Sequence, residues 1–332
     1  MISNPAQFRR SLLRWYARHK RNLPWRRDRD PYRVWISEIM LQQTRVNAVI
    51  PYYERFLNRF PTVEVLASAE EQPLLAAWAG LGYYHRARKL QAAARQIVNR
   101  GGFPREYDEI RDLPGIGDYT AAAVSSIAFG SPRAALDGNV IRVLSRLIAE
   151  PGDVGSAATR LRLQQAAVDL LDPKRPGEHN QAMMELGATV CLPRQPQCLL
   201  CPVSVHCEAR KTGRQEEFPI KSKRAAANIV TKQLLIVTKA NQSKVLLWRR
   251  PAASRRLAGF WELPEPGQLC GARVERKLGQ FRHSIVNTSY HFEVLAASIH
   301  TAPEGFLFLT KEKLDELPLS TTAKKGLACL GK

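Results

Sequence analysis

Apolar residues recur at three- and four-residue spacing through most of the first two thirds of the chain. PYRVWISEIMLQQTRVNAVIPYYERFLNRF shows the pattern, and so do EEQPLLAAWAGL and YYHRARKLQAAARQIVNR. Further stretches of the same kind are DYTAAAVSSIAFG, NVIRVLSRLIA, TRLRLQQAAVDLL and HNQAMMELGATVC. This is the period of amphipathic helices. Pro61, Gly101-Gly102 and Pro151-Gly152 punctuate them, so residues 5–212 read as helices joined by short turns, without repeat periodicity. After Lys211 the pattern changes. TGRQEEFPIKSKRAAAN is polar and charged, as a linker is. NIVTKQLLIVTK, SKVLLWRR, GFWELPE and SYHFEVLAASIH are short and rich in β-branched and aromatic residues, hence strands. TKEKLDELPLSTTAKKGLACLG returns to helix. The expectation is an all-α domain over 1–212, a linker over 213–227 and an α+β domain over 228–332.

A chain of 332 residues has length for about two domains, each able to bury its own core. No apolar run approaches the roughly 20 residues of a membrane span, so no membrane partner is expected. The N-terminal stretch MISNPAQFRRSLLRWYARHKR lacks the apolar core of a signal peptide. Cytoplasmic placement, as in a bacterial cytosol or nucleoid, is the expectation. Charge adds a functional clue: 50 Lys+Arg against 30 Asp+Glu give +20. Both parts of the chain carry the excess, which attracts polyanions and above all nucleic acid.

Two short motifs sharpen that reading. In LPGIGDYTAAAV (113–124) Gly115 and Gly117 flank one apolar residue, making a tight turn that opens a helix. Uncovered backbone N–H groups and the positive end of the helix dipole then face outward, a geometry suited to a DNA phosphate. Farther on, CLPRQPQCLLCPVSVHC holds Cys191, Cys198, Cys201 and Cys207, with gaps of six, two and five residues. Only one CxxC is present, whereas four-cysteine zinc sites usually pair two. Disulfides do not suit a cytosolic chain. Spacing alone leaves zinc and an iron–sulfur cluster both open.

The hairpin, the LDGNV stretch at 136–140 and the cysteine pattern together resemble the helix-hairpin-helix glycosylases of the endonuclease III superfamily. Within it, LPW (23–25), WISEIMLQQT (35–44), GLGYYHRARKL (80–90) and HNQAMMELG (179–187) resemble the adenine DNA glycosylases of the MutY type, over roughly residues 8–212. The resemblance implies a [4Fe–4S] cluster on the four cysteines. It also implies removal of adenine mispaired with guanine or 8-oxoguanine in double-stranded DNA by a monomeric enzyme.

Breaking an N-glycosidic bond builds positive charge on the sugar and negative charge on the departing base. The work divides between a carboxylic acid and an ionised carboxylate. By resemblance Glu38 is the acid, aimed at adenine N7, and Asp137 is the sugar-facing carboxylate. Trp35, Ile39 and Met40 beside Glu38 favour its protonated form by desolvation. Glycosylases that also cut the strand carry a Schiff-base lysine at the hairpin position occupied here by Tyr119. No lysine occurs from 90 to 173, so a monofunctional hydrolase is expected, with Tyr119 and Asn139 supporting Asp137. The resemblance assigns Gln43 and Tyr83 as wedges in the duplex, and Arg26, Gln181, Trp25 and Leu41 to the base pocket. The alternatives are an endonuclease III-like pyrimidine-lesion glycosylase with AP lyase activity, and a non-catalytic DNA-binding homologue.

The second domain resembles the Nudix-like domain of adenine glycosylases, most clearly in LAGFWELPE (257–265). A hydrolase of the Nudix type follows such a stretch with a cluster of glutamates. PGQLCGARVERKLGQ holds one, Glu275, so lesion recognition is expected in place of nucleotide hydrolysis. Where the family shows His-x-Phe-Ser-His, this chain has His283, Ser284, then Ile285-Val286-Asn287. His283 fits the pattern as a DNA-binding residue, and Ser284, Asn287, Thr288 or Ser289 are candidates for the missing hydrogen bonds. The sequence leaves the preference between 8-oxoguanine and guanine open.

Overall fold

The computed structural model describes residues 2, 4–222, 228–239, 243–251, 253–254, 257–285 and 287–330. They form two compact units, residues 1–67 with 89–223 and residues 68–88 with 224–332.

The first unit is helical. Its helices are α1 (Pro5–His19), α2 (Pro31–Leu41), α3 (Val46–Arg59), α4 (Val63–Ser68), α6 (His85–Asn99, following α5 of the second unit), α7 (Tyr107–Arg111), α8 (Asp118–Phe129), α9 (Gly138–Leu147), α10 (Ala157–Leu170), α11 (Pro176–Thr189) and α12 (Glu208–Lys211). The long apolar string around Glu38 is thus two helices, broken between Gln42 and Arg45. Helix α2 starts on an Asp30 cap that accepts from the Arg33 N–H, and it is buried on nearly every face, from Tyr32 to Met40. Helix α8 is likewise buried from Thr120 to Ile127. One core gathers Phe8, Leu12, Val143, Leu144, Leu163 and Leu186 from α1, α9, α10 and α11, and Cys191, Cys201 and Cys207 pack against its edge. Among the described residues no helix is long and apolar enough to cross a membrane.

The second unit joins α5 (Glu71–Trp78) to a mixed sheet: β1 (Asn228–Lys239), β2 (Lys244–Arg249), β3 (Trp261–Glu262), β4 (Arg273–Ile285), β5 (Thr288–Ser298) and β6 (Phe306–Thr310), followed by α13 (Lys311–Glu316) and α14 (Thr321–Leu327). The sheet order is β3-β2-β1-β5-β4, with β6 on β2. Strand β1 runs parallel to β5 from Asn228↔Thr288 to Val237↔Ala297 and meets β2 only at its end. Two features were not legible in the hydropathy pattern. Strand β4, RVERKLGQFRHSI, is charged and bears two register shifts. The C-terminal helical stretch divides into α13 and α14 at Leu317–Ser320, where Ser320 caps α14 through the Ala323 N–H.

Residues 68–88 group with the sheet, although they read in sequence as part of the helical domain. The Tyr84 ring packs on Phe260, 4.0 Å between centroids, and Arg88 donates to the Ala258 carbonyl.

Candidate active site

A cleft of about 610 Å³ opens in the first unit, within the size range of small-ligand sites. Glu38, Tyr119, Asp137 and Asn139 line it, and Trp25, Arg26, Leu41, Gln43 and Gln181 complete the wall. Residues far apart in sequence therefore converge on one cavity.

Glu38 comes from the middle of α2 and is 5% exposed. The Tyr119 hydroxyl, expected from the sequence to support Asp137, bonds Glu38 instead, because α8 packs against α2: from the first turn of α8 it donates to Glu38 Oε2 at 2.5 Å, and it lies 3.3 Å from Met184 Sδ. Burial pushes the Glu38 carboxyl up to about 7; the Tyr119 hydrogen bond pulls it down, nearby Asp137 pushes it up, and Arg26 pulls it down. An acid with that value is half protonated at neutral pH, the condition for proton donation.

Asp137 is the cap of α9. Its Oδ1 accepts from the Val140 N–H at 2.7 Å and its Oδ2 from Asn139 Nδ2 at 2.9 Å. Burial raises this carboxyl as well, but the Val140 N–H and the Asn139 amide oppose the shift. A helix N-terminus favours the anion, so Asp137 is the better of the two at staying ionised. Asn139 is itself held: Arg142 Nη2 donates to its Oδ1 at 2.9 Å and to the Gly187 carbonyl at 2.8 Å, while Arg142 Nε donates to the Cys191 carbonyl at 2.8 Å. Helix α11 passes so close here that a Cβ on Gly187 would lie 2.6 Å from Asn139 Cβ.

Sequence reasoning missed Glu185, although it lies in the quoted HNQAMMELG. It is completely buried in the wall opposite, pairing with Arg26 Nη2 at 2.8 Å and with Arg21 Nε at 2.7 Å. The two guanidinium groups outweigh burial and hold its carboxyl down at about 2. Its spacing of four from Gln181 on one helix was the available signal.

Of the two candidate wedges, Gln43 lines the cleft and Tyr83 lies outside it. Gln43 and Tyr83 both adopt left-handed backbone, at φ 60 and φ 50, a conformation strained for residues with side chains. Tyr83 belongs to the second unit and is 45% exposed. The turn beneath it is clamped, since Trp78 Nε1 and Arg86 Nη2 both donate to the Gly82 carbonyl and Arg86 lies 5.7 Å from the Tyr83 ring centre. At the hairpin, Gly115 has φ +82, and a Cβ there would lie 2.8 Å from Lys89 Cβ. Gly117 is different: its backbone is extended, and a Cβ would meet nothing within 4 Å. Among the described residues nothing demands glycine at 117.

The four cysteines share one cavity with Arg146 and Arg210. Arg146 Nη1 lies 3.2 Å from Cys191 Sγ and donates to the Leu192 carbonyl at 2.7 Å. Burial pushes the Cys201 thiol up to about 12 and raises Cys198 and Cys207. Among the described residues no group of three or more His, Cys, Asp or Glu converges closely enough for a single metal ion. Four thiols around a common cavity with a cationic wall fit a [4Fe–4S] group, with one cysteine for each iron.

In the second unit the β4–β5 hairpin closes at Ile285↔Thr288, and Val286 lies outside the described residues. His283 and Ser284, adjacent on β4, point to opposite faces. Ser284 is exposed and pairs with Ser289. His283 is partly buried on the face of Phe281, near Lys325 of α14, and burial lowers its pKa. Asn287 is exposed at the tip, and its carbonyl accepts from the Asn228 N–H at 3.0 Å.

The helical fold and its carboxylate cleft define a class: residues 36–167 match the family model described as HhH-GPD superfamily base excision DNA repair protein. The chain is similar over 63% of its length to the solved structure of a thermostable thymine-DNA glycosylase, at 31% identity and TM-score 0.57, covering 97% of that chain. A trapped endonuclease III–DNA covalent intermediate shares the fold, with 24% identity, TM-score 0.53, and coverage of 63% of this chain and 98% of that one. The adenine DNA glycosylase of Homo sapiens is 35% identical over 98% of this chain and 74% of its own length. That of Mus musculus is 36% identical over 98% and 78%. The chain belongs to the adenine DNA glycosylase family and is a DNA glycosylase.

Proposed function

We propose that the protein hydrolyses the N-glycosidic bond of adenine mispaired with 8-oxoguanine or guanine in duplex DNA, without a Schiff-base lyase step. The observation that carries this reading is the pairing of Glu38, poised near neutrality, with the N-cap carboxylate Asp137 across one cleft that no lysine lines among the described residues. The target adenine leaves the stack and enters the cleft, at a cost of about a few kcal/mol in unpairing and unstacking. Glu38 protonates adenine N7 as the bond breaks, Asp137 stabilises the cationic sugar, and Tyr119 and Asn139 hold the two carboxylates. Water then attacks the sugar. Arg26, Gln181, Trp25 and Leu41 contact the base, and Gln43 and Tyr83 fill the gap left in the duplex. The amides at Gly115 and Gly117 hold a backbone phosphate.

Cys191, Cys198, Cys201 and Cys207 would hold a [4Fe–4S] cluster, whose chemistry here is to cross-link the loop, with all four iron positions ligated by protein. Arg142, bonded both to the Cys191 carbonyl and to Asn139, ties that loop to Asp137. At the β4–β5 hairpin, Ser284 and Asn287 supply the polar contacts to the base opposite adenine, while His283 lies on the other face of β4.

Single-turnover assays on duplexes with adenine opposite 8-oxoguanine, guanine, cytosine or thymine test the reading. Release from the first two, without a borohydride-trapped adduct, is expected. A trapped adduct would revive the lyase alternative.

A further inference from the structure

Behind the cleft, and not among its lining residues, lies Tyr16 of α1, 5% exposed. Its hydroxyl donates to Gln181 Oε1 at 3.0 Å. The amide of Gln181 then has its oxygen engaged away from the cleft and two N–H donors still to place. The same tyrosine ring lies 5.6 Å from the Arg26 guanidinium carbon, and buried Glu185 holds Arg26 from the other side. Tyr16 therefore touches two of the groups assigned to the base. Burial pushes its hydroxyl up to about 12, so it remains an O–H donor throughout the neutral range.

We propose that Tyr16 is a positioning residue that sets base selectivity, by fixing the Gln181 amide so that it turns its N–H donors, and not its oxygen, to the cleft. An N–H donor set against the ring nitrogen favours a base that carries a lone pair there, as N1 of adenine does. It disfavours one that carries a proton there, as N1 of hypoxanthine and guanine do, because two donors then face each other out of water. Without the Tyr16 hydroxyl the amide is free to turn over and present its oxygen. The inference rests on the adenine reading above.

The test compares single-turnover release of adenine and of hypoxanthine from otherwise identical duplexes, each base opposite 8-oxoguanine. Tyr16→Phe keeps the ring and removes only the hydroxyl. It is expected to lower the ratio of adenine to hypoxanthine rates by about tenfold or more, the worth of one misdirected buried hydrogen bond. Gln181→Glu keeps Tyr16 but presents an acceptor, and is expected to lower the ratio as well. Adding Tyr16→Phe to Gln181→Glu is expected to change the ratio no further, as for two residues acting through one interaction. Equal loss of both rates in Tyr16→Phe, with the ratio unchanged, would overturn the inference, and so would an unchanged ratio in Gln181→Glu. An additional drop in the double variant would show that Tyr16 acts other than through Gln181, and would overturn it too. Wild-type protein that releases no adenine would instead count against the adenine reading itself.

Discussion

Tyr119 donates its hydroxyl proton to Glu38 at 2.5 Å, from the first turn of one buried helix to the middle of another. The bond stabilises the ionised form of a carboxyl that burial otherwise holds protonated. Two opposed influences thus bring Glu38 to about 7, and the pH dependence follows. In the proposed reaction Glu38 donates a proton, so single-turnover release should fall by about tenfold per unit above pH 7. Tyr119→Phe removes the influence that lowers the value, so the descending limb should move to higher pH even as the maximal rate drops. A limb that moves to lower pH would contradict the assignment.

The same shift has a consequence for stability. A carboxyl whose folded value lies above its unfolded one is fully accommodated below about pH 4.5. It destabilises the fold progressively as pH rises through 7. Glu38→Gln removes that ionisation while retaining an oxygen for Tyr119. The variant should be inactive yet more stable than wild type at pH 8, by up to about 3 kcal/mol, with the difference vanishing near pH 4. Urea denaturation at the two pH values checks this.

Asp137→Asn separates capping from catalysis. Asparagine caps a helix about as well as aspartate, so the Val140 N–H keeps a partner and the melting temperature should stay within a few degrees of wild type. Adenine release should be lost because the sugar cation has no counter-charge. An active Asn variant would remove Asp137 from the mechanism.

Gln43 holds its left-handed backbone at the edge of the cleft. Gln43→Gly relieves strain on the order of 1 kcal/mol against a comparable entropy cost in the unfolded chain. The net effect on chemical denaturation should be close to zero. Excision should nevertheless slow markedly, since the group that fills the vacated stack is gone. A large loss of stability with undiminished excision would contradict the wedge role.

Arg142→Ala removes the guanidinium that joins Asn139 to the Gly187 and Cys191 carbonyls. Adenine release should fall by about tenfold or more, and Arg142→Lys should not restore it, because a single ammonium cannot span three acceptors in the guanidinium's planar geometry. Equal iron and acid-labile sulfide in wild type and variant would show that the cysteine loop itself is intact.

Much of this site was legible because its residues sit in short, local motifs. Glu38 and Asp137 each lie in a recognisable stretch, and their convergence follows from the helix-hairpin-helix fold. What could not be read depends on long-range contacts. Glu185 pairs with Arg21 across 164 positions, and no periodicity announces an ion pair between helices. Residues 68–88 join the sheet unit through Tyr84 on Phe260, a contact invisible to a pattern that reads simply as helix. Strand β4 escaped because charged and polar residues outnumber its apolar Val274, Leu278, Phe281 and Ile285, with register shifts after Val274 and Lys277 that break the period of two. The strain at Gln43 and Tyr83 escaped as well, since neither residue type favours a left-handed turn.

The central claim is that two carboxylates, Glu38 as acid and Asp137 as anion, release adenine by hydrolysis alone. Single-turnover reaction of the wild-type protein with adenine opposite 8-oxoguanine and opposite guanine, run with and without borohydride, tests it most directly. The account predicts free adenine from both duplexes and no covalent protein–DNA adduct. Absence of adenine release from either duplex, or an adduct trapped during release, would contradict it.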